Sequence, residues 1–498
     1  MNPNNKLRAA LRAALLFAGT YLLLAIASAA RWLQRHFGTV DIDQFLFHLQ
    51  QRSAGLLSGD TTLVRSALRN IVAAPVAYAA LAIALAWALG RWRRTAPAVR
   101  RLLALWRHPL GQAGAFCMVT AWAGLSTLAW HPQDLERRDW IAELHRPPER
   151  LVAPARKPNL LLVYAESLEA TYDTPAFPER LLAPLELPGF GGHSISFGDF
   201  QQAAGTGWTI AGIVASQCGL PLKPLGFMGR NDLGEAAPAF LPGADCLGDV
   251  LARHGWHNVF LNGGSLAFAG KGRFLWNHGY HAAFGLEDWQ QLAPHAHTNA
   301  WGLDDDDLFT QALGQLRALV AAGKPFNLTL LTVGMHPPRG FLAPSCPGVH
   351  GDMRDAVACT ARLLAGFLED ARREGLLRDT LVVVMGDHLG MHSELSPRLQ
   401  QARHRRIYNR MFNAPALAPN RDAINHFDML PTVLTALGFD LGGGRFALGC
   451  AALGPVDCQS LTQDLQADAK LRMRSAFYEA LWGLPDGRGA AVAIHPEP

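Results

Sequence analysis

The chain has 498 residues, 49% of them hydrophobic and only 17% charged, against about a quarter charged in ordinary soluble domains. That much apolar material excludes an intrinsically disordered chain. The formal net charge of +4 divides unevenly: residues 1–107 hold 14 Lys and Arg against 3 Asp and Glu, and residues 108–498 hold 31 against 38. An acidic main body lacks the basic footprint of a nucleic-acid-binding protein.

Three uncharged stretches come first: Ala13–Ala30, Asn70–Gly90 and His108–Gln133, the last with an apolar centre from Leu110 to Trp130. A helix needs about 20 mainly apolar residues to cross the hydrocarbon core. The sequence therefore predicts a bundle of three transmembrane helices in residues 1–133, with spans at about 13–30, 70–90 and 110–130. A cleaved signal peptide would explain the first stretch alone, but not the two that follow. The N-terminal tail carries Lys6, Arg8 and Arg12, and the loop Arg91–Arg107 carries six arginines and no acid. The longer loop between the first two spans dilutes five arginines with Asp41, Asp43 and Asp60. The positive-inside rule puts the tail and the arginine-rich loop in the cytoplasm, so everything after the third span is exported. Trp32, Trp92, Trp106, Trp122 and Trp130 fall near the expected interfaces. A stretch rich in Pro, Arg and Glu, residues 134–157, reads as a linker to a domain over 158–498.

Cys117 lies inside the third span; Cys218, Cys246, Cys346, Cys359, Cys450 and Cys458 lie in the exported part. An even number in an oxidising compartment reads as disulfides. Sequence alone leaves the connectivity open, and the sequence-local set 218–246, 346–359 and 450–458 is the expected one. Zinc is the rival reading, weakened by the absence of any CxxC pair.

From residue 158 short apolar runs alternate with helical stretches, the pattern of an α/β fold with a mostly parallel sheet. Leu160–Tyr164 is followed by Glu166, Val259–Leu261 by Asn262-Gly263-Gly264-Ser265, Phe326–Val333 by His336, and Leu381–Met385 by Asp387-His388. Ligands of open parallel sheets bind beyond the carboxyl ends of the strands, so these endings form the inventory of a metal site at one edge. Between the first two runs, Gly205-Thr206-Gly207-Trp208-Thr209 opens an apolar helical run. A threonine there is either a helix N-cap or a nucleophile at a helix N-terminus, where backbone N–H groups and the dipole favour a phosphoryl group. A neutral hydroxyl needs a metal to become a good nucleophile, and the metal inventory favours the second reading. Asp304–Asp307 precedes the helical run Leu308–Val320 and reads as ordinary dipole chemistry. Arg403–Arg406 reads as a solvated or lipid-facing patch. No GxSxG hydrolase elbow occurs.

The segments NLLLVYAESLEATY, TGWTIAGIVASQCGLPL, FAGKGRFLWNHGY, TVGMHPPRGF and VVVMGDHLGMH, spread from about residue 158 to about 450, resemble the periplasmic phosphoglycerol transferases. Those enzymes modify osmoregulated periplasmic glucans and are relatives of lipoteichoic acid synthase in the alkaline phosphatase/sulfatase superfamily. The resemblance implies an alkaline phosphatase/sulfatase-like α/β domain. It also implies that Glu166, Thr209, Asp387 and His388 hold one divalent cation, manganese in most of the group, with magnesium or zinc as alternatives. Thr209 matches the nucleophile, with Thr206 as runner-up by local chemistry. His336 matches a histidine near the donor head group, Lys271 a basic residue at the phosphate, and Trp301 a substrate contact. Ala300 stands where the family's Asp-Trp-Gly has its acid, and Pro337 where a His-His-Pro form has its second histidine.

The implied activity is metal-dependent transfer of phosphoglycerol from phosphatidylglycerol to a periplasmic oligosaccharide, through a covalent intermediate on Thr209 and with release of diacylglycerol. The enzyme would be a multi-pass protein of the bacterial inner membrane with its catalytic domain in the periplasm. Transfer of phosphoethanolamine to lipid A is the rival within enzymes, and a degenerate glucan- or lipid-binding membrane sensor is the rival outside them. A sulfatase activity is disfavoured, because the Cys-x-Pro-x-Arg setting of a formylglycine precursor is missing.

Overall fold

The computed structural model describes residues 3–42, 61–91, 96–129, 138–190, 194–223, 239–348, 351–456 and 458–483. Of the residues singled out above, Asp43, Asp60, Trp92, Arg93, Arg94 and Trp130 lie outside these ranges, as do 134–137 of the expected linker and 484–498 of the expected domain. The chain divides into two compact units: residues 1–42 with 60–130, and the remainder.

In the first unit, α1 (Pro3–Phe37) is followed by α2 (Thr61–Ala67), a π turn (Leu68–Ala73) and α3 (Ala74–Arg91). Then come α4 (Pro97–Arg107) and α5 (Pro109–Thr127), each opened by a proline in its first turn, where no backbone N–H is missed. Two stretches among the described residues are helical, long and apolar enough to cross a bilayer, Ala10–Phe37 and Leu63–Leu89. The third expected span corrects to a helix of 19 residues that falls short of that apolarity, because Gln112, Thr120, Ser126, Thr127 and three glycines interrupt it. Some of its polar groups face α1. A Cβ on Gly19 would meet Gln112 Oε1 at 2.5 Å, and Gln34 Nε2 donates to the Ser126 carbonyl at 2.9 Å. An advance of 15 residues on α1 thus matches 14 on α5, so the two helices run parallel and in step. Just beyond them Val40 and Asp41 pair in parallel with Leu128 and Ala129. Trp32 Nε1 donates to Ser66 Oγ, joining the end of α1 to the start of the second hydrophobic segment, which returns in the opposite sense.

The second unit is built on a sheet of seven strands among the described residues: β1 (Asn159–Ala165), β2 (Ser194–Ile195), β3 (His257–Asn262), β4 (Ala282–Phe284), β5 (Phe326–Leu331), β6 (Thr380–Gly386) and β7 (Asn409–Phe412). Their order is β2-β7-β6-β1-β5-β3-β4. The five from β6 to β4 are mutually parallel, and β7 alone runs against its neighbours. Both faces are covered, which is why the strands read as unbroken apolar runs. On β1, Leu160, Leu162 and Tyr164 enter one core while Leu161, Val163 and Ala165 enter the other. The helices that matter for the site are α6 (Thr209–Cys218), α7 (Lys271–Asn277), α8 (Asp305–Ala322), α9 (Met353–Arg373) and α10 (His426–Ala436).

The three sequence-local disulfides form as expected: Cys218–Cys246, Cys346–Cys359 and Cys450–Cys458. Residues 138–157, expected to be a linker, pack on this unit instead. Ile141 is fully buried in the core, and Arg146 and Val152 make bridges to Ala447 and Asp440.

Candidate active site

The register of the central strands sets the site. Ala165 at the end of β1 lies opposite Gly386 at the end of β6, so the next residues, Glu166 and Asp387, leave the sheet side by side. His388 follows directly. One ligand atom from each of Glu166, Asp387 and His388 lies within 4.8 Å of the others, and all three side chains are buried. His388 Nδ1 bonds to the Leu389 carbonyl at 2.8 Å. A carbonyl only accepts, so Nδ1 carries the proton and Nε2 faces Glu166 Oε1 at 3.4 Å and Asp387 Oδ2 at 3.5 Å. This is how a ligating histidine is commonly oriented by its second nitrogen. Asp387 Oδ1 accepts from the Ser167 and His388 backbone N–H groups, whereas Oδ2 is buried with no hydrogen-bond partner. A buried carboxylate oxygen without a partner, aimed at a second carboxylate and an imidazole, fits a divalent cation.

Charge agrees with that fit. Burial would raise the Glu166 carboxyl, but the His388 hydrogen bond and charge, with help from His336 and Ser167, hold it at about 2. Burial and the neighbouring Glu166 charge push Asp387 up to about 7. His388, against the effect of its burial, is raised to about 9 by Asp387 and Glu166. Two carboxylates this close cannot both ionise comfortably without a positive partner.

Thr209 is not the helix cap. Trp208 holds that position in extended conformation and supplies no side-chain capping bond. Thr209 is the first residue of α6, and its Oγ1 donates to Glu166 Oε2 at 3.2 Å. Thr206, the alternative, is buried and bonds to the Ala203 backbone in both directions, which makes it a turn residue. A Cβ on Gly212 would sit 1.9 Å from the Asp387 carbonyl oxygen, so the glycine lets α6 lie directly on the end of β6. His426, at the start of α10, donates from Nε2 to that same carbonyl at 2.7 Å.

The remaining expected residues surround this centre. Lys271 opens α7, is buried with its Nζ over the Phe268 ring, and is lowered by burial to about 8 against the attraction of Glu166 and Asp387. The rings of Trp301 and His336 stack with centroids 3.6 Å apart, and the His336 charge is felt at Glu166. The structure thus brings all seven expected residues into one neighbourhood.

Three supports escaped the sequence reading. Asp305, one of the acids read as dipole chemistry, is buried. Its Oδ1 accepts from Val333 and Gly334 N–H at 3.0 Å each, and its Oδ2 from Thr360 Oγ1 at 2.7 Å. It therefore anchors the loop that carries His336, and β5 ends at Leu331 rather than at Val333. Arg405, expected on a solvated patch, instead pairs with the fully buried Glu169, and both hold the Gly390 peptide. Ser167, at positive φ, donates to Glu166 Oε1 at 2.7 Å. Only a backbone trace could have found the first two; the Gly at the third place after Thr209 was a readable signal for the close packing of α6.

The parallel α/β sheet gathers two carboxylates and a histidine able to hold a cation, with a helix-end hydroxyl beside them, at its carboxyl edge. Residues 158–439 match the sulfatase family, and the chain belongs to that family, within the alkaline phosphatase superfamily. Phosphoglycerol transferase I of Escherichia coli O127:H6 is 34% identical over 332 residues, covering 64% of this chain. Phosphoglycerol transferase I of Shigella boydii serotype 18 matches with the same identity and coverage. The chain spans about two-fifths (42%) of the length of these curated relatives. Among solved structures, the lipooligosaccharide phosphoethanolamine transferase EptA of Neisseria meningitidis superposes with TM-score 0.48 at 16% identity, covering 87% of each chain. The lipoteichoic acid synthase LtaP of Listeria monocytogenes gives TM-score 0.48 at 15% identity, over 62% of this chain and 79% of that one.

Proposed function

We propose that the protein transfers phosphoglycerol from phosphatidylglycerol to a hydroxyl of a periplasmic oligosaccharide, with Thr209 as the nucleophile. The observation that carries this reading is the Thr209 hydroxyl at an uncapped helix N-terminus, bonded to Glu166 in the Glu166–Asp387–His388 cluster. The 34% identity to phosphoglycerol transferase I supports the choice of donor.

Glu166, Asp387, His388 and Thr209 would hold the divalent cation, manganese by the family resemblance. When bound, it would lower the pKa of the threonine hydroxyl and offset charge on the phosphate. In the first step Thr209, having released its hydroxyl proton to solvent, attacks phosphorus: the Oγ–P bond forms and the bond from phosphorus to the diacylglycerol oxygen breaks. That oxygen takes a proton, and the diacylglycerol leaves. In the second step an acceptor hydroxyl attacks phosphorus, its proton is removed, and the Thr209 Oγ–P bond breaks. His336 Nδ1 bonds to the Pro337 carbonyl, so Nε2 is the nitrogen that gives the first proton and takes the second. Lys271 stabilises the phosphate oxygens as a buried cation. Trp301, stacked on His336, fixes that ring and flanks the head group.

The first unit anchors the enzyme in the membrane. The parallel, in-step course of α1 and α5 supports a three-pass anchor even though α5 is less apolar than the other two expected spans, since Gln112 lies against Gly19 and the Ser126 carbonyl accepts from Gln34, both on α1. With the basic N-terminal tail and the arginine-rich loop inside, three passes export the catalytic unit to the periplasm.

Incubation of the full chain with labelled phosphatidylglycerol or phosphatidylethanolamine tests the reading. Diacylglycerol release from the first is the expected result. Release from the second alone would replace it with phosphoethanolamine transfer, and release from neither, with manganese present, would point to a binding protein.

A further inference from the structure

The first unit contains a cavity of about 960 Å³ between α1, α4 and α5, within the size range of small-molecule sites. Its polar lining is confined to Arg12, His108 and Gln112, apart from the Cys117 thiol; the rest is apolar, including Leu22 and Phe116. The parallel register of α1 and α5 orders these groups. Gly19 lies against Gln112; Arg12 is about two turns before Gly19 on α1 and His108 one turn before Gln112 on α5. Arg12 and His108 therefore share one end of the groove, with Leu22 and Phe116 at the other. His108 Nδ1 accepts from the Leu110 N–H at the start of α5, which leaves the ring proton on Nε2 as a donor. Exposed Arg100 and Arg101 lie on the adjoining α4, about one turn before Ala104, which lines the groove. A groove that is cationic at one end and hydrocarbon-like at the other is complementary to an anionic amphiphile.

We propose that this groove binds one anionic diacyl phospholipid, its phosphate against Arg12 and His108 and its chains along Leu22 and Phe116. The inference rests on the membrane reading of the first unit. By that reading the cationic end faces the cytoplasm, so this lipid occupies the inner leaflet and is not the donor consumed on the periplasmic side.

The full chain is purified in phosphatidylcholine nanodiscs containing phosphatidylserine as the anionic probe, and retained lipid is read by native mass spectrometry. Phosphatidylserine should be retained over phosphatidylcholine by the parent and by the Thr209→Ala variant alike. Arg12→Gln should lower retention about fivefold, His108→Ala, which removes the Nε2 donor, should also lower it, and Arg12→Lys should keep it. A photoactivatable phosphatidylserine should label the parent chain around Leu22 and Phe116, a readout independent of whether any variant folds. Equal retention in parent and variants, no preference for the anionic lipid, or labelling elsewhere would overturn the proposal. Retention with no turnover of phosphatidylglycerol would refute the proposed function alone; turnover with no retention would refute only this inference.

Discussion

Thr209 Oγ1 lies 3.2 Å from Glu166 Oε2, although the two residues are 43 positions apart and belong to a helix and a strand end. The contact links the expected nucleophile to the expected metal cluster. Thr209→Ala should therefore lower diacylglycerol release on the order of a thousandfold or more while changing stability little, since Thr209 is only half-buried. Thr209→Ser keeps the hydroxyl and should retain measurable activity. Steady-state rates on phosphatidylglycerol and a thermal melt of each variant separate these effects.

The cluster should be a titrating cation site. Asp387, pushed up to about 7, and His388, raised to about 9, must both release protons for a cation to bind. Affinity for manganese should therefore rise with pH through about 7 to 9 and fall below it. At saturation, about a hundredfold over Kd, the cation should stabilise the protein by about 2.7 kcal/mol. Chelator should remove that increment, and Asp387→Asn should abolish it. Calorimetric titration at several pH values and melting curves with and without manganese check both parts.

Asp305 should behave as a buried anchor with its own pH signature. Burial raises its carboxyl to about 6 from 3.8, against the Thr360, Val333 and Gly334 hydrogen bonds. A raised folded-state value means that the folded protein binds the extra proton between those limits. The associated stability is fully present below 3.8 and lost as pH rises through about 6, a change on the order of 2–3 kcal/mol. Asp305→Asn should flatten that stretch of the stability–pH curve and keep the His336 loop in place. Asp305→Ala, which leaves three donors without an acceptor, should cost several kcal/mol, at about 1–3 kcal/mol per group. Denaturant unfolding between pH 4 and 7 distinguishes the variants.

Gly212→Ala should misplace Thr209. The added methyl would fall 1.9 Å from the Asp387 carbonyl oxygen, a backbone atom already held by His426, so α6 must move. Shifts of this kind cost about 1–3 kcal/mol when a packed interior is overfilled, and a displacement near 1 Å can cost about a hundredfold in rate. Activity should fall further than stability alone explains. Comparing the rate with the melting temperature of the same preparation checks it.

The sheet and the candidate cation cluster were legible because a parallel strand is short and apolar and ends abruptly in polar residues. Glu166, Asp387 and His388 each follow such a run, and the Ala165–Gly386 register brings them together. Local chemistry left Thr206 beside Thr209 as a candidate nucleophile, and the family resemblance favoured Thr209; the fold ties Thr206 into its turn and sets Thr209 against Glu166. Asp305 and Arg405 were misread because an acid in a first helical turn and an arginine in a basic run have ordinary surface explanations. Burial, which decides their roles, depends on loops more than 20 residues away, at Val333–Gly334 for Asp305 and at Glu169 for Arg405. The weaker apolarity of α5 was hidden by counting charges, since Gln112 and Ser126 carry none.

The most direct test of the account is mass spectrometry of the manganese-loaded full chain after brief exposure to phosphatidylglycerol without acceptor. The account predicts a glycerophosphate adduct on Thr209, absent from Thr209→Ala and discharged when an oligosaccharide acceptor is added. Release of diacylglycerol at the parent rate by Thr209→Ala, or an adduct on any other residue, would contradict it.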